Sequence, residues 1–166
     1  TTSNVLYLCN HKNLRPKRAL IPQGLMEASH VSLVWDGLYV GDCYAAALVR
    51  EPPDQPPEWL MPLLAEEKHS RLTIVNCAHE LTCGDINLNI LDIPYGADIE
   101  TKWITSIQGP TLVHCVQGRS RSVAVAIAIL ATAFMQHQKQ KKDALAQAWS
   151  IVSDRRPQAS PNLGFR

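Results

Sequence analysis

Several things are missing from this sequence, and each absence removes a class of function. Neither sign of charge dominates: 16 Lys and Arg against 15 Asp and Glu leave a formal net charge of +1. No large basic surface of the kind that tracks nucleic acid is therefore expected, and any positive field must be local, which favours a small anionic target. No apolar run reaches the roughly 20 residues of a membrane-spanning helix; the longest, Val123 to Met135, reads as a core helix. The five cysteines, Cys9, Cys43, Cys77, Cys83 and Cys115, are odd in number and irregularly spaced. That argues against a secreted disulfide framework and for a reducing setting, cytoplasmic or nuclear. Internal repeats and low-complexity segments are absent, as is a charged segment leading into an apolar stretch at the start. The chain opens with Thr instead of Met, as expected of a processed or trimmed product from which targeting information could have been lost.

What is present suits a single globular domain. With 166 residues, 46% hydrophobic and 19% charged, the chain can bury one core and is too short for two ordinary domains. Val31 to Val40 reads as two short strands around Asp36-Gly37, a pair that supplies the positive φ angles of a tight turn. Gly41-Asp42 opens a short helix. The Pro-rich stretch Glu51 to Pro57 must be a surface loop, and it leads into a helix over Glu58 to Lys68. Strands are expected at Leu72 to Asn76, Ile86 to Leu91 and Thr111 to His114, with a helix over Asp98 to Ile107 between the last two. The segment after Ser122 is apolar on every face, which predicts a helix enclosed by other elements. A last helix, Lys141 to Asp154, places Leu145, Ala148, Trp149 and Val152 on one face, carries Arg155 and Arg156 at its negative end, and stops at Pro157. Strands alternating with helices predict an α/β fold around a mostly parallel sheet, with the ligand at the carboxyl ends of its strands.

The chemistry is concentrated in Val113-His114-Cys115-Val116-Gln117-Gly118-Arg119-Ser120-Arg121-Ser122, between an expected strand and the enclosed helix. Consecutive backbone N–H groups in such a loop converge on one point, and the helix N-terminus adds unpaired donors and partial positive charge, so the segment is an anion cradle. Gly118 permits the turn. Arg121 offers a planar fork that matches two phosphate oxygens in a way lysine cannot. The same field stabilises a negative sulfur, which makes Cys115 a nucleophile. In-line attack on phosphorus would give a cysteinyl-phosphate, with the loop amides and Arg121 stabilising the charge on the transferring oxygens. The Ser122 hydroxyl can hydrogen-bond the sulfur and assist its departure. No metal or other cofactor is called for, and no second ligand stands at zinc-like spacing from His114. Cys-x5-Arg by itself is a weak signal; the His before it, the mid-loop Gly, the following Ser and the strand-loop-helix setting make it specific.

These residues resemble the dual-specificity branch of the protein tyrosine phosphatase superfamily, and the resemblance runs from about Ser32 to Phe165. Leu38-Tyr39-Val40-Gly41-Asp42-Cys43-Tyr44-Ala45-Ala46 is similar to the family's early strand and GD..AA segment. Ile74-Val75-Asn76-Cys77-Ala78-His79-Glu80-Leu81 resembles its ILNVAHEL strand, and Arg155-Arg156-Pro157 with Ser160-Pro161-Asn162-Leu163-Gly164-Phe165 resembles its RP..SPN.GF element. The terminal helix that follows in the family is missing, so the sequence is expected to stop short of it. The resemblance implies a protein tyrosine phosphatase-like fold and hydrolysis of phosphotyrosine and phosphoserine/threonine on protein substrates. It assigns Cys115 as nucleophile, Arg121 as phosphate binder, Ser122 as the hydroxyl that helps release the thiolate, and Val116 to Ser120 as backbone donors. His114 would organise the loop through hydrogen bonds.

Expelling the leaving group needs a proton, which the family takes from an Asp after the strand matching Ile86 to Leu91. In Leu88-x-Ile90-x-Asp92 two alternating apolar residues followed by Asp reproduce the strand-end pattern, so Asp92 is the first candidate. Asp98 is the alternative: Ile93-Pro94-Tyr95-Gly96-Ala97-Asp98 matches the family's IP..D with one residue inserted, but Ala97-Asp98-Ile99 also resembles the beginning of the next helix, where an acidic side chain is an ordinary cap. The stretch before Cys115 is shorter than in the family. Arg119 stands where protein-directed members carry an aliphatic residue, and Gly118-Arg119-Ser120-Arg121-Ser122 is similar to the loop of a mitochondrial lipid-directed member. Phospholipid or phosphoinositide hydrolysis is therefore the second reading, and a non-catalytic phosphoresidue-binding module the third. Cys77 or Cys83 could pair with an oxidised Cys115, and Lys12, Arg15, Lys17 and Arg18 form a basic cluster of the docking or nuclear-import kind.

Overall fold

The computed structural model describes residues 30–93, 99, 101–135, 141–162 and 165. The basic cluster Lys12 to Arg18, Cys9 and the alternative acid Asp98 lie outside those residues. Five strands form one sheet: β1 (Val31–Trp35), β2 (Leu38–Gly41), β3 (Thr73–Ala78), β4 (Ile86–Ile90) and β5 (Thr111–His114). Their spatial order is β1-β2-β5-β3-β4. The β1–β2 pair is antiparallel, closed at Asp36-Gly37 by a glycine with φ of +68°, and every other pairing is parallel. The expected mostly parallel α/β sheet is thus observed.

Period-two alternation splits the core into two layers. Tyr39, Ile74 and Leu112 face one way, onto α1 (Cys43–Arg50) and α2 (Met61–Ser70), where Ala46, Val49, Leu60 and Leu63 are buried with them. Leu38, Val40, Val75, Cys77 and Val113 face the other way, onto α3 (Arg121–Met135) and α4 (Lys141–Arg155). Side chains on alternate strand positions point to opposite faces, so a sheet covered on both sides requires apolar residues at nearly every position of its central strands. In β5 all of Thr111–His114 is buried, Leu112 and Val113 apolar in the middle and Thr111 and His114 polar at the ends.

Asp42 starts α1 by accepting the Ala45 N–H at 2.8 Å, as a helix cap should. Two elements differ from expectation. In place of a helix over 98–107, the described residues hold a 3-10 stretch at Lys102–Ser106, in which the Thr105 and Ser106 hydroxyls donate to the carbonyls three residues back and only Ile104 is buried. With a single apolar anchor and hydroxyls competing for its carbonyls, the segment has little to hold a longer helix. In α4 the buried stripe is Ala144, Ala148 and Val152, while Leu145 is 52% exposed. Leu145 fits helical spacing with Ala148, Trp149 and Val152, but the close approach of α3 selects the stripe of small residues. That stripe continues one turn on to Arg156, which is fully buried. No helix among the described residues is long and apolar enough to cross a membrane.

The topology positions the site. The chain leaves β2, crosses to β3 and β4, and returns to lay β5 between β2 and β3, so the parallel strands change direction of progression at β5. A crevice opens at the carboxyl ends of the strands at such a point. In register, His114 lies between Gly41 and Asn76. Beyond these strand ends come Cys115 from β5, Glu80 from β3 and Asp92 from β4.

Candidate active site

The loop from Cys115 to Ser120 joins β5 to α3 and forms one wall of a cleft of about 230 Å³, lined by Glu80, Asp92, Cys115, Val116, Gln117, Arg119, Ser120 and Arg121. Its shape depends on Gly118, whose φ is +65° and whose absent Cβ would stand 2.5 Å from the Gly41 carbonyl oxygen and 2.6 Å from Arg156 Nη2. No other residue fits there without moving the backbone.

The loop is held from behind through its carbonyls. Cys43 N–H donates to Val116 O at 3.3 Å, Arg156 Nε to Gly118 O at 2.6 Å, Ser160 N–H to Arg119 O at 2.8 Å and Ala124 N–H to Ser120 O at 2.9 Å. In a trans peptide C=O and N–H point in opposite directions. Engaging those four carbonyls therefore turns the N–H groups of Gln117, Arg119, Ser120 and Arg121 away from their holders, as an anion cradle requires.

Arg156 is the buried clamp of this arrangement. Besides Gly118 O it reaches Ser32 Oγ with Nη1 at 3.0 Å, so one guanidinium ties the loop to β1. Burial pulls its affinity for the proton down, and negative charge at Asp42 and Cys115 works the other way. Arg156→Met should preserve volume while stranding two acceptors, costing about 2–4 kcal/mol at roughly 1–2 per stranded group. Urea denaturation followed by fluorescence measures this; a loss under half a kcal/mol would remove Arg156 as the clamp.

Cys115 is 3% exposed and its Sγ lies 3.3 Å from Ser122 Oγ, itself fully buried. The hydroxyl sits at the N-terminus of α3, so a negative sulfur would gain one O–H donor and the helix's positive end. His114 is buried behind the loop. Its Nδ1 is 3.4 Å from Cys115 O and its Nε2 3.8 Å from Cys83 Sγ. Because the carbonyl only accepts, Nδ1 carries the proton and Nε2 is left to accept from the thiol. Burial pushes its pKa down to about 4, so the ring is neutral at pH 7. The four described cysteines are free. Burial, with the charge at Cys115, pushes the Cys77 thiol well above its ordinary value and keeps it protonated.

Arg121 is 4% exposed and donates from Nη1 and Nη2 to the two oxygens of Glu80, each at 2.6 Å. Nη1 also donates to Ile90 O at 3.2 Å. Three of the five N–H groups of a guanidinium are thereby used. The two that remain lie together on the Nε–Nη2 edge, and the buried Nε has no acceptor among the described residues. The end-on fork is thus spent on Glu80, and the side-on edge is the one free to meet two oxygens of an ester. Asp92 stands beside it, 48% exposed, with Oδ2 at 3.8 Å from Nε.

Cys115, Arg121, Ser122 and Asp92 are therefore brought together, Val116 to Ser120 line the cleft or back it, and His114 is behind. Three residues with no role assigned from sequence complete the site. Glu80 orients Arg121. Asn76 shapes the turn that carries Glu80, its Nδ2 donating to Leu81 O at 2.6 Å and its Oδ1 accepting the Ala78 N–H at 3.0 Å. Asn162 donates from Nδ2 to Asp92 Oδ1 at 2.7 Å and from its backbone N–H to Ser120 Oγ at 3.0 Å. The signal available for Glu80 was an acid placed just past the end of a buried strand.

The site is thus a strand-loop-helix segment with a buried cysteine at the carboxyl edge of a mostly parallel sheet. Among solved structures the chain is similar to human DUSP28, at 24% identity over 81% of this chain and 86% of that one, with a TM-score of 0.50. It is also similar to the Yvh1 phosphatase domain from Chaetomium thermophilum, at 23% identity over 81% and 90%, TM-score 0.51. A third is the human tyrosine phosphatase-like serine/threonine/tyrosine-interacting protein, at 23% identity over 82% and 91%, TM-score 0.51. No protein-family model matches the sequence, and no curated protein matches it. The chain has the dual-specificity phosphatase fold.

Proposed function

We propose that this protein hydrolyses phosphomonoesters on proteins, phosphotyrosine and phosphoserine/threonine, through a cysteinyl-phosphate formed on Cys115. The observation that carries the reading is a buried thiol sharing one cleft with a buried guanidinium whose Nε–H has no acceptor among the described residues. A buried donor left unsatisfied costs about 1–3 kcal/mol, a cost that an ester oxygen bound there would remove. Cys115 Sγ attacks phosphorus in line, the S–P bond forms as the P–O bond to the leaving group breaks, and the proton on Asp92 passes to the departing oxygen. In the second step water attacks phosphorus, its proton returns to Asp92, and the thiolate leaves with the Ser122 hydroxyl donating to it. Throughout, the loop amides and the free edge of Arg121 hold the phosphoryl oxygens. Such a thiolate needs a reducing compartment, cytoplasmic or nuclear, which is part of the same proposal.

The proton donor has its own test. In kcat/KM, which reports the first step, Asp92→Asn should lose about 100-fold on an alkyl or tyrosyl phosphate and almost nothing on an aryl phosphate with a very good leaving group, which needs no acid there. Equal losses on both substrates would remove Asp92 from the role and return it to Asp98.

Arg119 favours a second reading. Its side chain is exposed at the lip of the cleft while its carbonyl is tied back to Ser160. A second cation there would suit an ester carrying another negative group, such as a phosphoinositide. A binding-only module is the third reading, and one structural relative is named as a phosphatase-like interacting protein. Against it stands the retention of Cys115, Ser122 and Arg121 together. Turnover of phosphotyrosyl and phosphothreonyl peptides against a lipid phosphate panel separates the first two; vanadate-sensitive hydrolysis of an aryl phosphate eliminates the third.

A further inference from the structure

We infer that Asn162 is a positioning residue that decides which oxygen of Asp92 carries the catalytic proton and couples that oxygen to the phosphate loop. The inference rests on the reading of Asp92 as the acid. Asp92 ends a strand and its side chain is 48% exposed, so without a tether it would rotate freely. Asn162 provides the tether from a segment 70 residues away, its Nδ2–H donating to Oδ1 at 2.7 Å. The same residue is pinned to the loop by its backbone N–H on Ser120 Oγ, and the chain two residues earlier by Ser160 N–H on Arg119 O. The acid and the phosphoryl cradle are therefore held by one short segment, and a shift in one carries the other.

The donor also breaks the symmetry of the carboxyl group. An oxygen that accepts an N–H cannot also present a proton to it, so in the acid form Oδ1 is the carbonyl oxygen and the proton sits on Oδ2. Oδ2 is the atom nearest Arg121 Nε, hence on the side where the phosphoryl group would be gripped. After the first step, when the proton has gone to the leaving oxygen, Oδ2 is an unprotonated base at the same place while Oδ1 keeps its bond to Asn162, now charge-assisted. Oδ2 then takes the proton from the attacking water, and the cycle closes with the proton on the atom it left.

Asn162→Leu removes the donor at nearly constant shape, and Asn162→Ala removes the whole side chain; neither adds charge, and both keep the backbone bond to Ser120. Each is expected to lower kcat on an alkyl or tyrosyl phosphate about 10-fold, as misplacement of a reacting group by a fraction of an ångström does. KM, the melting temperature and kcat/KM on a good-leaving-group aryl phosphate, which reports the first step alone, should stay at wild-type values. Combining Asn162→Ala with Asp92→Asn should add nothing to Asp92→Asn alone, because both act on one proton. Equal losses on the two substrates, or additive losses in the double variant, would show Asn162 as a mere support of the loop and overturn the inference. If Asp92→Asn discriminates by leaving group and the Asn162 variants do not, the inference fails while the acid stands. If Asp92→Asn does not discriminate, both fall.

Discussion

Cys115→Ser should bind phosphate esters and turn none over, with hydrolysis falling by about 10^5-fold or more, the order seen when a nucleophile is removed from a preorganised site. The exchange is nearly isosteric, at a position 3% exposed, so the cradle should survive. What disappears is the ionisable atom. A serine hydroxyl remains protonated at neutral pH unless a base takes its proton, and neither side chain hydrogen-bonded to residue 115 can do so: Ser122 is itself a hydroxyl, and His114 directs its Nδ1–H at the Cys115 carbonyl from behind the loop. The variant should therefore trap substrates, and a panel of phosphopeptides and lipid phosphates captured on it would report substrate class directly. Retention of more than a few per cent of activity would place the nucleophile elsewhere and sink the mechanism. A wild-type protein that is equally silent, with ester binding intact in both, would leave the binding-module reading in possession.

The loop between β5 and α3 could be placed from sequence because its signals are local: a cysteine, a turn glycine and an arginine at fixed spacing between a strand and a helix. The mostly parallel sheet was equally legible, since a strand buried on both faces has to be apolar almost throughout. The supports of the loop were not. Glu80, Arg156 and Asn162 meet it across 41, 38 and 42 residues, and at each of these positions a polar residue near the end of an element is indistinguishable by type from a solvated one. Arg156 was read as a complement to the negative end of its helix, whereas packing of the small stripe Ala144, Ala148 and Val152 carries it one turn further, underneath Gly118. Leu145 failed for the same reason: helical periodicity establishes that a face exists, and the neighbour's shape chooses its phase. The arginine fork was foreseen but its edge was not, because the partner that claims the other edge comes from β3.

Arg121→Lys keeps the charge and removes the fork, and it should reduce kcat/KM about 10^3-fold, near the upper end of what one lost oxyanion donor costs. Five N–H groups are in demand at this position: two bind Glu80, one binds Ile90 O and two face the cleft. An ammonium has three, radiating from a point, and cannot hold a carboxylate bidentately while gripping two phosphoryl oxygens on another side. Because charge on those oxygens is redistributed most in the transition state, the loss should fall mainly on kcat, with KM changing little. Stability should drop by about 1–3 kcal/mol, the worth of a charge-assisted bond, and this part carries a pH signature. The bonds from Arg121 are the chief reason that the Glu80 carboxyl is held below its ordinary value. A group whose folded value is lowered stabilises the fold fully above the ordinary carboxylate range and loses that contribution as pH falls through the lowered value. Urea midpoints of wild type and variant should therefore differ at pH 7 and converge in acid, once Glu80 is protonated in both. A variant that lost stability in this way but kept kcat within 10-fold would confine Arg121 to holding Glu80, and the loop amides alone would have to carry the phosphoryl group.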